Sequence, residues 1–227
     1  MPNDRDIEAP ISLMGLFDDP SEPAEVWENT SEEQIVHVVG NDLRVRQYCF
    51  HEKNANRVWP GTFNLAEYYL SPDQPGLLSD LLSSPVLELG SATGLLALRF
   101  SQAGVDISTS DYDDSSSGEE SIQANILFNY GLNHQKPVPE HIPHTWGDGW
   151  PETRVFKTVI ASDILLYTAV YEQLTLTITQ MFHAGTTTFV MSWDRRMDES
   201  KAFFVLMTEA GFTMTPQPKC IFVFTRS

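Results

Sequence analysis

The pattern of apolar and polar positions divides most of the chain into alternating strands and helices. Short apolar runs, typical of buried strands, are followed by stretches with apolar residues at helical spacing. The strand-like runs lie at residues 85–90, 105–111, 141–148, 155–163 and 186–193. The helical faces between and after them carry Leu96, Phe100, Ala103, Ile122, Ile126, Tyr130, Val170, Leu174, Ile178, Met181, Phe203, Leu206, Met207 and Ala210. This alternation predicts a mostly parallel sheet covered by helices on both faces.

The two ends of the pattern differ from its middle. Residues 35–48 alternate around a Gly-Asn-Asp turn, which predicts a β-hairpin. A helix face follows, and residues 71–76 break it. That face is formed by Trp59, Phe63, Ala66 and Leu70. The chain ends with two strand-like runs, 212–215 and 220–225, which predict an antiparallel pair.

Composition adds a domain boundary and limits the partners. A chain of 227 residues fits one domain. The formal net charge is −17, and residues 1–34 hold ten acids against one base. We therefore predict a weakly ordered acidic tail over 1–34 and one domain over 35–227. The tail either is simply solvated or attracts a basic substrate. Such acidity argues against binding to nucleic acid or anionic membranes, and it favours a basic protein or a neutral small molecule.

The sequence also indicates a compartment. Cys49 and Cys220 lie too far apart for a metal-ligand spacing, and two cysteines make no disulfide framework. We find neither a secretory signal pattern nor an apolar stretch of about 18 residues. We expect a cytoplasmic protein, with a nuclear location as an alternative, and no feature demands more than a monomer. His134, His141 and His144 are interpreted as solvated loop residues, so no metal site is predicted.

Candidate chemistry lies after the strands, because ligands of open parallel sheets bind at the carboxyl ends of the strands. Small residues at 90–94 follow the first strand of the alternating region and allow a ligand to approach the backbone closely. Asp111 ends the next strand, where a carboxylate can accept hydrogen bonds from ribose hydroxyls. Loop and acid together predict an adenosine-type cofactor. A rival interpretation of these acids is an Asp-x-Asp metal site of a nucleotide-sugar transferase. A dinucleotide reductase would need Gly-x-Gly-x-x-Gly, which this loop lacks.

Two later positions extend this hypothesis. Trp146 follows a brief strand and either covers an adenine face or packs in the core. Asp163 and Tyr167 follow the next strand, where an acid and a phenol can orient an incoming nucleophile. The alternative for Asp163 is a cap on the helix that follows. Trp193, after the next strand, is a candidate wall of the same cleft.

These residues together resemble a known family. The runs ELGSATG, SDYDD, TWGD and ASDILLY resemble motifs I to IV of class I S-adenosylmethionine-dependent methyltransferases. More narrowly, VVGNDLRVRQY followed by VWPGTFNLAEYYL is similar to the start of the lysine-methyltransferase-like group, also called nicotinamide N-methyltransferase-like. The resemblance covers residue 35 to the end. It implies a Rossmann-like seven-stranded, mostly parallel α/β sheet with a C-terminal antiparallel hairpin and an N-terminal β-hairpin extension.

The resemblance also implies the roles of individual residues. Asp111 would hold the ribose of S-adenosylmethionine, and Asp163 and Tyr167 would face the acceptor. Ala161 and Ser162 would form the floor. The other residues expected to contact the cofactor, which leaves as S-adenosylhomocysteine, are Trp59, Glu88, Gly90, Ser91, Thr93, Gly94, Tyr112 and Trp146.

Two positions depart from the family pattern. The usual loop is Gly-x-Gly-x-Gly, and Ala92 replaces the middle glycine; its methyl group is tolerable if φ is negative. Lysine-modifying members carry Asp-x-x-Tyr, whereas Asp163 and Tyr167 are four residues apart.

The expected function is methyl transfer in line with the C–S bond of the cofactor, onto a lysine or another basic side chain of a protein. The alternatives are a small-molecule methyltransferase on the same fold and a non-catalytic adapter.

Overall fold

The computed structural model describes residues 29–73, 75–151, 154–195 and 197–226. Most of the predicted acidic tail, residues 1–28, lies outside the described residues. The first strand begins at Ser31, so residues 31–34, assigned to the tail from sequence, belong to the hairpin.

A seven-stranded sheet forms the centre of the molecule. Its spatial order is β5-β4-β3-β6-β7-β9-β8, with every pairing parallel except those of β9. The strands are β3 Val86–Leu89, β4 Ile107–Asp111, β5 His141–Pro143, β6 Thr158–Ser162, β7 Thr188–Ser192, β8 Thr213–Gln217 and β9 Ile221–Thr225. The predicted parallel sheet with a C-terminal antiparallel pair is confirmed. Strand order reverses between β3 and β6, so this edge of the sheet is where a ligand is expected.

Helices cover both faces of the sheet, as predicted. They are α1 Pro60–Leu70, α2 Pro75–Leu82, α3 Leu95–Gln102, α4 Ile122–Leu132, α5 Tyr171–Ala184 and α6 Lys201–Glu209. One core holds the buried faces of α1, α3 and α4, and a second core lies under α5 and α6. Within the described ranges, no helix combines the length and apolar content that crossing a bilayer requires.

The predicted hairpin is a separate two-stranded sheet of β1 Ser31–Val38 and β2 Asn41–Tyr48. Three asparagines spaced four residues apart, two in α4 and one at its C-terminal cap, attach it to the domain. Asn133 and Asn129 accept the backbone N–H groups of Arg44 and Arg46 at 2.9 and 2.7 Å, and Asn125 accepts the Arg46 guanidinium at 2.8 Å. Because side chains four apart share one helix face, α4 satisfies part of the free edge of β2.

Two local predictions were wrong. Helix α2 begins at Pro75, inside the segment interpreted as a helix break, because proline is well suited to the first position of a helix. In α1, Phe63 was placed on the buried face, but it is 37% exposed. The buried face of α1 instead includes Leu65 and Tyr69, which contact the core shared with α3.

Candidate functional site

A cavity of about 410 Å³ opens at the carboxyl ends of β3, β4 and β6. Its volume is in the range of small-molecule sites. Of the predicted site residues, the following line it: Trp59, Gly90, Asp111, Tyr112, Trp146, Ser162, Asp163 and Tyr167. The fold therefore brings into one cavity residues from the start of α1 and from all four sequence motifs.

Asp111 holds the loop that follows β3. Its two carboxylate oxygens accept the backbone N–H groups of Ala92 at 2.7 Å and of Tyr112 at 2.8 Å. Burial raises the pKa of Asp111, and these two hydrogen bonds oppose that rise. Each carboxylate oxygen accepts more than one hydrogen bond, so Asp111 retains acceptor capacity toward the cavity that it lines.

The condition placed on Ala92 from sequence was wrong. Its φ is +47°, in the left-handed region that glycine adopts freely. For alanine this conformation costs roughly 1–2 kcal/mol. The bond from the Ala92 N–H to Asp111 helps to hold the loop in this shape. Ala92 therefore adopts a backbone conformation that suits the glycine usual at this position of the motif.

Five predicted cofactor contacts do not line the cavity, namely Glu88, Ser91, Thr93, Gly94 and Ala161. Gly94 has a φ of +70°, and a Cβ there would lie 2.9 Å from Ile126 of α4. The Thr93 carbonyl accepts the Asn129 amide at 2.9 Å. These two residues join the loop to α4.

Glu88 is buried beneath the start of α3. Its side chain accepts the Ala97 N–H at 3.0 Å. Ala97 lies in the first turn of α3, where backbone N–H groups have no partner within the helix. Burial raises the pKa of Glu88 to about 8, the Ala97 bond counteracts this, and the charge of Asp111 adds to it. Glu88 therefore anchors the helix behind the loop.

The wall beyond Asp111 is aromatic. Trp146 and Tyr112 line the cavity, and Trp146 also contacts the core under α5. His144, interpreted from sequence as a solvated residue, is instead a buried part of the same wall. Its ring meets Trp150 edge-on at 5.1 Å.

The other two histidines differ from each other. His141 lies in β5 and bonds Thr109 at 3.0 Å, and burial lowers its pKa to about 4. His134 is exposed, as expected. The described residues contain no cluster of three or more potential metal ligands.

Asp163 connects the sheet to α1. It has a φ of +54° and is buried, and its carboxylate accepts the Gly61 N–H at 2.5 Å. Gly61 is the second residue of α1, and the N-cap Trp59 makes no side-chain cap. Asp163 thus caps a helix, but it caps α1, about a hundred residues earlier, rather than the helix that follows it. Burial raises the pKa of Asp163, while the Gly61 bond and the charge of Arg195 oppose the rise.

The loop between β2 and α1 crosses the mouth of the cavity. The Asn54 side chain bonds the Tyr167 hydroxyl, and the Asn54 carbonyl accepts the Trp59 indole N–H at 3.0 Å. His51 pairs with the buried Asp114 at 3.2 Å. Tyr167 is 44% exposed, so its ring borders solvent at the mouth.

Sequence analysis missed several cavity residues, namely Glu52, Lys53, Asn54, Ala55, His144, Thr145, Ile164, Leu166, Ala169 and Val170. Residues 52–55 lie in an irregular loop, where no periodic pattern marks a site. Sequence analysis also missed Gly61, whose N–H bonds Asp163. The Pro-Gly pair at residues 60–61, where α1 begins, was the sequence feature that could have indicated it. Trp193 is buried in the core under α5 and α6, and it does not line the cavity.

A family model described as lysine methyltransferase matches residues 38–210 of the chain. The chain belongs to this lysine methyltransferase family. The prediction of a class I S-adenosylmethionine-dependent methyltransferase is thereby confirmed, and the adapter alternative loses its basis. No curated protein matched the chain.

Two solved structures are similar to the chain. The 16S rRNA N2 G1207 methyltransferase of T. thermophilus, with AdoMet and guanosine, has a TM-score of 0.59 at 13% identity, over 87% of this chain and 50% of that one. The magnesium protoporphyrin IX methyltransferase of Synechocystis PCC 6803, with bound SAH, has a TM-score of 0.46 at 17% identity, over 75% of this chain and 89% of that one. The similarity to the rRNA methyltransferase structure shows that this chain has a methyltransferase fold.

The cavity suits the cofactor of this family. Asp111 offers a carboxylate where a ribose would be held, Trp146 and Tyr112 offer aromatic surface for an adenine, and Gly90 leaves the backbone open. Asp163 and Tyr167 line the same cavity.

Proposed function

We propose that the protein is a protein lysine N-methyltransferase. The observation that carries this proposal is one cavity in a member of the lysine methyltransferase family. We assign its residues Gly90, Ala92 and Asp111 to the cofactor and call them the cofactor end, and we assign Asp163 and Tyr167 to the acceptor and call them the acceptor end. The exposed Tyr167 ring supports a protein acceptor, because a side chain reaching in from a protein surface must pass the mouth that this ring borders.

The proposed roles follow from the chemistry of amine methylation. The cofactor supplies an activated sulfonium methyl group, so the protein mainly aligns the acceptor. Tyr167 and Ser162 offer oxygens that can accept N–H groups of a neutral amine. Asp163 bonds the start of α1 and so keeps the helix in place. Trp59, the N-cap of α1, is thereby held at the cavity that it lines. The low-polarity walls around Ile164 and Leu166 favour the neutral, nucleophilic form of the amine.

Labelling of a cell extract with radioactive methyl donor tests this proposal. We expect label in protein bands, and acid hydrolysis of those bands should release methyl-lysine. The Tyr167→Phe variant should label more slowly, whereas Tyr68→Phe, a tyrosine of α1 that does not line the cavity, should label normally. Label confined to small molecules, or recovered in an amino acid other than lysine, would contradict the proposal.

A further inference from the structure

The indole of Trp59 carries two guanidinium groups at the acceptor end of the cavity. The central guanidinium carbon of Arg57 lies 4.5 Å from the ring centre, and that of Arg195 lies 4.8 Å from it. The distance between the two carbons therefore cannot exceed the sum of these two distances. Both arginines are exposed. Trp59 itself is only 8% exposed and donates its indole N–H to Asn54, so it forms a fixed platform.

Among the described residues, neither guanidinium group is neutralised by an ion pair, although the charge of Arg195 also acts on Asp163. In the described part of the chain, no carboxylate forms an ion pair with Arg57 or Arg195, and no hydrogen bond engages either one. Glu52 lines the cavity and Asp194 precedes Arg195, yet neither pairs with them. Two neighbouring cations repel each other, and an anion placed between them would remove that repulsion.

The position of the pair links it to the acceptor. Trp59 lines the cavity, and the charge of Arg195 reaches Asp163. Another cation, Lys53, also lines the cavity, but its ammonium group lies 4.9 Å from the Tyr112 ring centre, on the cofactor side. Arg57 and Arg195 are thus the two cations that contact Trp59.

We propose that Arg57 and Arg195 form a carboxylate-binding site that selects lysines flanked by glutamate or aspartate in the substrate protein. The inference rests on the proposed function, since it assumes a lysine acceptor. A guanidinium binds a carboxylate through two parallel hydrogen bonds and is weakly hydrated, and stacking on the indole orients its plane. This reverses the expectation of a uniformly basic substrate.

The first experiment measures binding without catalysis. A fluorophore-labelled hexaglutamate peptide is titrated with the full chain in the presence of S-adenosylhomocysteine, and anisotropy gives the affinity. The double variant Arg57→Gln/Arg195→Gln should bind roughly 3- to 10-fold more weakly, as two exposed ion pairs are lost. Arg57→Lys/Arg195→Lys keeps the charge and should lose less.

A matched control separates the site from net charge. Lys157→Gln/Arg226→Gln removes the same two charges, and Arg226 is also stacked on an aromatic ring, that of Phe212. Neither residue lines the cavity. The control should bind hexaglutamate as the wild type does. Equal loss in both double variants, or no loss in Arg57→Gln/Arg195→Gln, would overturn the inference.

The second experiment uses methyl transfer to synthetic peptide pools with one central lysine, flanked by glutamate or by glutamine. We expect the wild type to prefer the glutamate pool and the Arg57→Gln/Arg195→Gln variant to lose that preference. Equal transfer to both pools by the wild type would overturn the inference. If neither pool is methylated while the hexaglutamate difference persists, the carboxylate site stands and the lysine acceptor is wrong.

Discussion

The two ends of the cavity are built from different parts of the chain. At the cofactor end, Asp111 ends β4 and accepts the N–H groups of Tyr112, which follows the strand, and of Ala92 in the loop after β3. At the acceptor end, Asp163 and Tyr167 bond Gly61 and Asn54, which lie more than a hundred residues earlier. The hydrogen bonds of Asp111 therefore stay within the central fold, whereas those of Asp163 and Tyr167 reach the β2–α1 loop and the start of α1.

The largest expected effect is at the cofactor end. Asp111→Ala should weaken S-adenosylhomocysteine binding at least about 100-fold, because the ribose loses a charged acceptor and the 90–92 loop loses its anchor. Calorimetric titration measures this affinity. Asp113→Ala removes an exposed acid two residues away and should bind normally. An unchanged affinity in Asp111→Ala would show that the cofactor lies elsewhere.

A second prediction concerns the support of that end. The pKa of Glu88 is raised in the folded protein to about 8, so its contribution to stability is lost as the pH rises from the usual carboxyl range toward 8. Glu88→Gln keeps an acceptor for Ala97 and does not titrate. Relative to this variant, the wild type should lose about 3–4 kcal/mol of unfolding free energy between about pH 5 and 8.

Urea unfolding at several pH values provides the measurement. Glu209→Gln, which removes an exposed acid at the end of α6, should leave the wild-type pH dependence intact. If Glu88→Gln and the wild type show parallel pH profiles, Glu88 is not held protonated in the folded state.

The acceptor end is tested through the cap on α1. Asp163→Ala should lower the free energy of unfolding by about 1–2 kcal/mol, because the Gly61 N–H loses its acceptor at a helix start. Asp163→Asn keeps an oxygen acceptor and tolerates the left-handed backbone, so it should lose less. Thermal unfolding compares the two. Equal stability of the wild type and Asp163→Ala would contradict the capping role.

The smallest effect is expected at Ala92. Ala92→Gly should raise the free energy of unfolding by about 1 kcal/mol, because glycine adopts the left-handed conformation without a Cβ clash. Ala124→Gly, in the first turn of α4, should act in the opposite direction, since glycine weakens a helix. Denaturant titration distinguishes the signs. A loss of stability in Ala92→Gly would mean that the alanine methyl group makes contacts worth more than the strain.

Sequence predicted the sheet and the cofactor end better than the acceptor end, for physical reasons. Strands β3, β6 and β7 are buried and carry mostly apolar residues, so each appears as a short apolar run. β4 is buried too, but its sequence is Ile-Ser-Thr-Ser-Asp, and the alternation of strands and helices around it marks it as a strand that ends at Asp111. By contrast, the Gly61–Asp163 bond is a tertiary contact with no sequence period, and the loop holding Asn54 and Arg57 carries no apolar pattern.

Some of the predicted cofactor contacts lie outside the cavity lining. Gly94 and Glu88 belong to the loop motif, yet they contact α4 and α3 rather than the cavity. Spacing alone cannot separate a residue that touches a ligand from one that supports the loop around it. The direction of each side chain depends on the packed helices, which the motif does not specify.

The most direct test of the division between the two ends is the affinity of Asp163→Asn for S-adenosylhomocysteine, measured by calorimetry beside its rate of methyl transfer. If the cofactor end is independent of the acceptor end, this variant binds within about twofold of the wild type while methyl transfer slows. A loss of affinity as large as that of Asp111→Ala would contradict the account.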